Sequence, residues 1–224
     1  MRPNEAKLIG NLMGRFDTNA ISPCLNLGSS TGTFRTEEQR HIDQHIFAPL
    51  RERGVRVVHV DIKEAAGVDL AGNIYDAATM EAILALSPRC VLCCNMFEHV
   101  TDRQALAARI SHMLAPDGLL VVTVPYSYPI HYDPIDTYFR PSPDEIVGMF
   151  PDFQVLKEGV VSDSTYFQDL LRTEGIGGTL VQFTKSAVKL FMIWRGLRFW
   201  KGHFHRYLWL FRPYQVSWVL MRKF

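Results

Sequence analysis

The segment Pro125-Tyr-Ser-Tyr-Pro-Ile-His-Tyr-Asp-Pro-Ile-Asp-Thr-Tyr-Phe-Arg140 holds the densest run of reactive side chains in the chain. His131 has the chemistry of a general base. Asp133 or Asp136 could orient its ring or accept a hydroxyl of a bound molecule. Arg140 has the fork that grips a carboxylate or phosphate at two points. A second reading stays open beside this one: a structural loop stiffened by its prolines, with Arg140 paired to Asp136. His99, Tyr126 and Tyr132 join Asp133 and Arg140 as candidate contacts to a bound molecule.

A second set of residues is spread along the chain. In Cys24-Leu-Asn-Leu-Gly-Ser-Ser-Thr-Gly32 a short apolar run stops at Gly28, and small residues continue to Gly32. Glycine permits the turn, and the lack of side chains lets backbone amides reach a ligand. Val57-Val-His-Val-Asp61 is a strand ending in an acid, and a carboxylate there can accept two ribose hydroxyls. Together they point to a cofactor that carries a nucleoside. There is no Gly-x-Gly-x-x-Gly for a pyrophosphate and no Gly-Lys-Ser/Thr for a phosphate loop. Candidate cofactor contacts are Asn26, Gly28, Ser30, Gly32, Asp61, Asn73, Ile74 and Asn95.

Strands are expected at 22–27, 55–60, 68–76, 89–94, 119–124 and 153–161, with strand composition again at 214–221. Helices are expected at 6–16, 77–86 and 143–150, and after each of two capping boxes, Thr36-x-x-Gln39 and Thr101-x-x-Gln104. Pro49 should kink or shorten the first of these, and Gly54 should stop it. Strands thus alternate with helices, and several are apolar throughout. That predicts a doubly wound α/β sheet with ligands beyond the carboxyl ends of its strands.

From about Pro23 to Val161 the chain resembles the class I S-adenosylmethionine-dependent methyltransferases, in their type 11-like branch. Leu25-Asn-Leu-Gly-Ser-Ser-Thr-Gly32 resembles the first motif, and Asp61 the ribose-binding acid. Gly72-Asn-Ile74 resembles the adenine segment. Phe97-Glu-His-Val100, Leu114-Ala-Pro-Asp-Gly118 and Val122-Thr-Val-Pro125 resemble later motifs of that branch. Asn26 and Asn73 stand where the family carries acids, and Ser30 stands for its central glycine. The resemblance implies a Rossmann-like, mostly parallel sheet with an antiparallel last strand, in one domain over 1–224. It implies S-adenosyl-L-methionine as cofactor and methyl transfer as activity; the loop after the fifth strand should then overhang the methyl group, with His131 and Asp136 as the candidate catalytic pair read from its residues. The three departures motivate the alternative of a non-catalytic domain of this fold, serving as a membrane-associated interaction module.

Hydrophobic residues make up 47% of the 224, enough to bury a core. Of 24 Lys and Arg, nine fall after Glu174, where there is no Asp or Glu. The last strand is therefore preceded, over 165–212, by a basic and aromatic segment expected to be a helical insertion or cap. Residues 179–212 suit an anionic membrane surface, or a cap whose bases snorkel outward; nucleic acid is disfavoured. A small or saccharide-like acceptor, lipid-linked at the inner membrane face, fits that composition. No window is apolar enough to span a bilayer, and no leading segment has a signal core. The expectation is a cytoplasmic protein, peripheral on the membrane. Cys24, Cys90, Cys93 and Cys94 read as reduced core thiols. His41 and His45 lack the Glu of a His-Glu-x-x-His motif, so no metal is expected.

Overall fold

Successive side chains of a strand point to opposite faces, so an apolar strand needs cover on both. Cys90–Cys94 (β4) is such a strand: Val91 and Cys93 join one core, Cys90 and Leu92 the other. The computed structural model describes residues 1–131, 135–190, 196 and 204–224. Its single sheet also contains Cys24–Leu27 (β1), Val57–Asp61 (β2), Leu70–Ala71 (β3), Leu119–Ser127 (β5), Phe153–Thr165 (β6) and Pro213–Lys223 (β7). The order is β3-β2-β1-β4-β5-β7-β6. β1 through β5 pair in parallel, while β7 runs antiparallel between β5 and β6, with Val121 opposite Leu220.

Helices cover both faces. Pro3–Met13 (α1) buries Ala6, Ile9, Leu12 and Met13 on one side of the sheet. Thr18–Ile21 (α2) leads into β1. Arg40–Ile42 (α3) and Ala48–Glu52 (α4) alternate with wide π-helical turns at Phe34–Glu38 and Asp43–Phe47. Ala77–Ala85 (α5), Arg103–Met113 (α6) and Pro143–Val147 (α7) pack Met80, Ile83, Leu106, Ile110 and Ile146 on the other side. Cys24, Cys90 and Cys93 are buried free thiols. Burial pushes the Cys93 thiol well above its ordinary range.

Three expectations about local structure change. The strand expected over 68–76 is two residues long. Asp69 is spent on the His59 amide (2.7 Å), and Asn73 turns the chain by accepting from the Tyr75 amide (3.1 Å). Thr36 does not cap a helix; it lies inside the Phe34–Glu38 turn, with its hydroxyl on the Gly32 carbonyl. At the second box Asp102, not Thr101, is the cap, accepting from the Ala105 amide at 2.9 Å. Pro49 sits in the first turn of α4, where its missing N–H costs nothing, and Gly54 follows at φ +80°.

Among the described residues, the stretch between β6 and β7 is largely helical. Tyr166–Leu190 (α8) is kinked at Gly175, which takes φ +67°. Tyr166, Leu170, Trp209 and Tyr214 form a separate small core, and the Trp209 indole donates to the Ser127 hydroxyl at 3.0 Å. The outer face of α8 is apolar and uncovered, with Ile176 75% and Leu180 61% exposed. Trp194 and Trp200 lie outside the described residues.

Candidate functional site

Parallel register brings the carboxyl ends of four strands to one edge. Leu27 pairs with both Val60 and Cys93, and Asp61 with Ala71. Gly28, Asp61, Asn73 and Asn95 therefore leave the sheet side by side. Gly28 takes φ +65°, and a Cβ there would meet only the Met96 thioether, at 3.6 Å. The Ser30 amide donates to Asp61 Oδ2 at 2.7 Å, and the Lys63 amide donates to Oδ1 at 3.0 Å. Each oxygen keeps a lone pair for a further donor.

The glycine loop is held from behind by Arg35, a residue the sequence reading passed over. Its guanidinium is buried and donates to the carbonyls of Ser29 and Ser30, both at 2.7 Å, and of Gly67. Pinning Arg35 there explains the distorted helix that replaces the expected cap at Thr36. Gly32 faces this support rather than the open edge: its amide donates to the Ala66 carbonyl at 2.8 Å. Gly67 lies against it at φ +81°, and a Cβ there would stand 2.6 Å from Gly32 Cα. Neither backbone can yield cheaply. Gly67→Ala is expected to cost about 1–3 kcal/mol of stability, the scale of a strained backbone site. A thermal unfolding midpoint equal to the parent's would contradict this packing.

Asn26 is buried and shares a 3.1 Å hydrogen bond with His59 Nδ1. Burial, with the nearby Arg35 charge adding to it, pushes His59 down to about 4, so its ring is neutral. An amide at position 26 is the natural partner of a neutral ring. Asn95 takes φ +52° and donates to Glu5 Oε1 at 2.8 Å. Glu5, buried and also bound by the Thr123 hydroxyl at 2.6 Å, is a second residue the sequence reading passed over. It sits on α1, far from Asn95 in sequence, with no local signal. Ile74 is buried beside Asn73 in the sheet core.

The second cluster lies past β4 and β5. Glu98 is fully buried, and among the described residues neither carboxylate oxygen has a hydrogen-bond partner. Burial pushes its carboxyl up to about 8, and the Glu5 and Asp136 charges add to the rise. His131 Nε2 lies 3.9 Å from Glu98 Oε1, and its Nδ1 3.2 Å from Asp136 Oδ2. The last pair touch without hydrogen-bond geometry. Burial lowers the pKa of His131 below the ordinary value despite the Asp136 charge, which leaves the ring neutral and able to take a proton. Asp136 also accepts from the amides of His131 (2.9 Å) and Tyr138 (2.8 Å). Burial opposes its ionisation, but Arg140 and those amides outweigh burial and hold it below the usual carboxylate range.

Arg140 spends its donors on the loop. It grips both oxygens of Asp136, at 2.6 and 3.1 Å, and reaches the carbonyls of Tyr128, Pro129 and Phe139. No donor of the fork remains for a carboxylate or phosphate. His99 stacks edge-on to His131, with ring centres 5.3 Å apart. Tyr126 is exposed and does not line the adjoining cavity; Tyr132 and Asp133 lie outside the described residues. That cavity, about 580 Å³, opens between His131 and α8, with Tyr128, Tyr166 and Tyr214 in its walls beside Asp169 and Lys185.

No protein-family model matches the sequence, and no curated protein does. Solved structures do. Coclaurine N-methyltransferase bound to N-methylheliamine and SAH superposes with a TM-score of 0.57 at 17% identity, over 98% of this chain and 70% of that one. A SAM-dependent methyltransferase from Archaeoglobus fulgidus gives 0.51 at 11% identity, over 97% and 94%. The sheet order and the antiparallel β7 agree with this likeness. The chain has the class I methyltransferase fold. The antiparallel last strand expected from the resemblance is β7. A methyltransferase fold does not by itself decide the reaction. The [4+2]-cyclase SpnF superposes at 0.50 and 14% identity, over 97% of this chain and 80% of that one.

Proposed function

We propose that this protein is an S-adenosylmethionine-dependent methyltransferase that acts on a small, saccharide-like acceptor carried on a lipid. The observation that carries the reading is Asp61. It stands at the end of β2 beside the Gly28 turn, with an open lone pair on each oxygen, on the same sheet edge as the His131 cluster. The fit to the cofactor is good on this chain's own terms: Asp61 can accept ribose hydroxyls, and Ile74, packed in the sheet core, anchors the chain at Asn73. The bare Gly28 backbone permits close approach. Asn26 and Asn95 support the edge from within, through His59 and Glu5.

When bound, S-adenosylmethionine supplies an electrophilic methyl group on a sulfonium. The chain's task is to bring an acceptor oxygen into line and hold its proton. Neutral His131 takes that proton, and the Asp136 carboxylate stabilises the imidazolium that results. The tyrosine rings of the cavity suit the apolar faces of a sugar, and Asp169, Gln182 and Lys185 suit its hydroxyls. Neighbouring proteins of this fold act on small molecules, as the coclaurine enzyme's name states, which supports a small acceptor.

Labelled S-adenosylmethionine incubated with saccharides, with and without polyprenyl-phosphate tails, tests the reading. Methyl transfer is expected, with the tailed acceptors preferred. Transfer to none of them by folded, cofactor-bound protein would favour the non-catalytic module suggested by Asn26, Ser30 and Asn73.

The lipid part of the reading rests on α8 and the turn after it. Ile176, Leu180 and Val188 share one exposed face, Phe211 is 76% exposed, and the region from Gly175 onward is basic without acids. Each base near an anionic surface adds about 1 kcal/mol, and salt screens it. Binding to anionic vesicles should exceed binding to neutral ones and fall as salt rises. Leu180→Ser with Phe211→Ser should weaken it without lowering the unfolding midpoint, because neither side chain is buried. Indifference to anionic vesicles at low salt would leave α8 as a cap alone. No helix among the described residues is long and apolar enough to cross a membrane.

A further inference from the structure

Glu98, His99 and His131 come from two loops, and their ligand-bearing atoms lie within 4.8 Å of one another. Glu98 Oε1 is 3.7 Å from His99 Nε2 and 3.9 Å from His131 Nε2. Both rings are turned the same way. His99 Nδ1 is held by the Ile135 carbonyl, and His131 Nδ1 faces the Asp136 carboxylate. At His99 this acceptor puts the proton on Nδ1 and leaves the Nε2 lone pair free, as at metal-binding histidines; at His131 the Asp136 charge, 3.2 Å from Nδ1, favours the same tautomer without a hydrogen bond. Here both Nε2 atoms converge on one carboxylate. That carboxylate is fully buried and has no hydrogen-bond partner among the described residues, a costly state for a polar group. The backbone around it is tied down. Thr137 donates to the Glu98 carbonyl from its amide (2.8 Å) and its hydroxyl (2.9 Å), and Arg103 holds Thr137 in turn (3.0 Å).

We propose that Glu98, His99 and His131 form a three-ligand site for a divalent first-row transition-metal ion of the zinc or iron(II) type, open toward the acceptor cavity. Two imidazoles and one carboxylate suit such ions and leave coordination positions free. Bonds of about 2.0–2.2 Å require the three ligand atoms to draw together by on the order of 1 Å. Among groups lining the cavity His131 is shared, so a free coordination position faces the space assigned to the acceptor. An ion held there would lower the pKa of an acceptor hydroxyl beside it, so that its proton could pass to solvent, and His131 would then serve as ligand in place of proton acceptor. The ligand set does not depend on the methyl-transfer reading; only the use of the ion does. The sequence spacing gave no hint of it, because the third ligand lies more than thirty residues beyond the first two.

Cobalt(II) is the probe, titrated into the full-length, metal-stripped protein and followed by visible absorption and calorimetry. One equivalent should bind and develop a ligand-field band. Glu98→Gln and His99→Ala should each weaken binding at least about 10-fold, as disturbing a metal site does. His131→Ala, at a half-buried position easier to vary, should do the same. His112→Ala, an exposed histidine on α6, should change nothing. Absence of saturable binding at one equivalent, or binding insensitive to Glu98→Gln and His131→Ala, would overturn the site. S-adenosylhomocysteine titrated into the same sample separates the two claims. Cofactor binding without cobalt binding refutes the metal site alone; cobalt binding without cofactor binding upholds it and refutes the methyl-transfer reading.

Discussion

Asp61→Ala is expected to weaken S-adenosylmethionine binding by about 1.5–3 kcal/mol, roughly 10- to 150-fold, the scale of hydrogen bonds to a charged group. Two effects act together. The ribose loses its acceptor, and the amides of Ser30 and Lys63 lose theirs, at 2.7 and 3.0 Å. Asp61→Asn keeps one acceptor oxygen and should lose less. Equilibrium dialysis with S-adenosylhomocysteine measures the change, and the unfolding midpoint shows whether the glycine loop has stayed in place. Equal affinity in a folded Asp61→Ala protein would remove Asp61 from the site, and with it the main support for a nucleoside cofactor.

His131→Ala is expected to lower turnover roughly 10²- to 10⁴-fold while sparing cofactor affinity. His131 lines the cavity, and its ring is bracketed by Glu98 and Asp136. The pH profile carries a second check with a definite sign. Burial disfavours the charged ring, so its pKa in the folded protein lies below 6.5. The active neutral form is then present at and above neutrality, and activity should fall on the acid side with an inflection under 6.5. Turnover within a few-fold of the parent would leave His131 a positioning role. Arg140→Lys is not an equivalent test. That change breaks the fork holding Asp136 and three carbonyls, and so disturbs the whole loop.

The fold was legible because the information is local. Cys90–Cys94 is apolar throughout and Leu119–Val124 is apolar but for Thr123, the pattern of strands in a sheet covered on both faces. Tyr214–Met221 has strand composition and is the middle of β7. The short strand expected within 68–76 is present as β3 but only two residues long, because Asp69 and Asn73 use their side chains on backbone amides, which turns and ends strands. The cofactor edge was legible in the same local way, from a glycine after one strand and an acid after the next.

The rest of the site was not legible, because it depends on burial between distant segments. Glu98 reads as a charged residue at the start of a helical turn, yet it is 0% exposed. The 135–140 loop is tied to it by the Thr137 amide on the Glu98 carbonyl, a contact between distant segments. Glu5 belongs to the first helix and serves Asn95 and Thr123. Arg35 lies just before the Thr36-x-x-Gln39 box and is the strut beneath Ser29 and Ser30. A charged residue directly after a phenylalanine, Glu98 after Phe97 and Arg35 after Phe34, was the available signal in both cases.

The most direct test is calorimetric titration of S-adenosylmethionine into the unaltered protein, with the unfolding midpoint recorded at each end. Saturable binding at one site per chain and a raised midpoint are expected, since a ligand that binds only the folded state stabilises it. A folded protein that takes up no S-adenosylmethionine, with no heat and no change in midpoint at high ligand, would contradict the assignment of Gly28, Asp61 and Ile74 to a methyl-donor site.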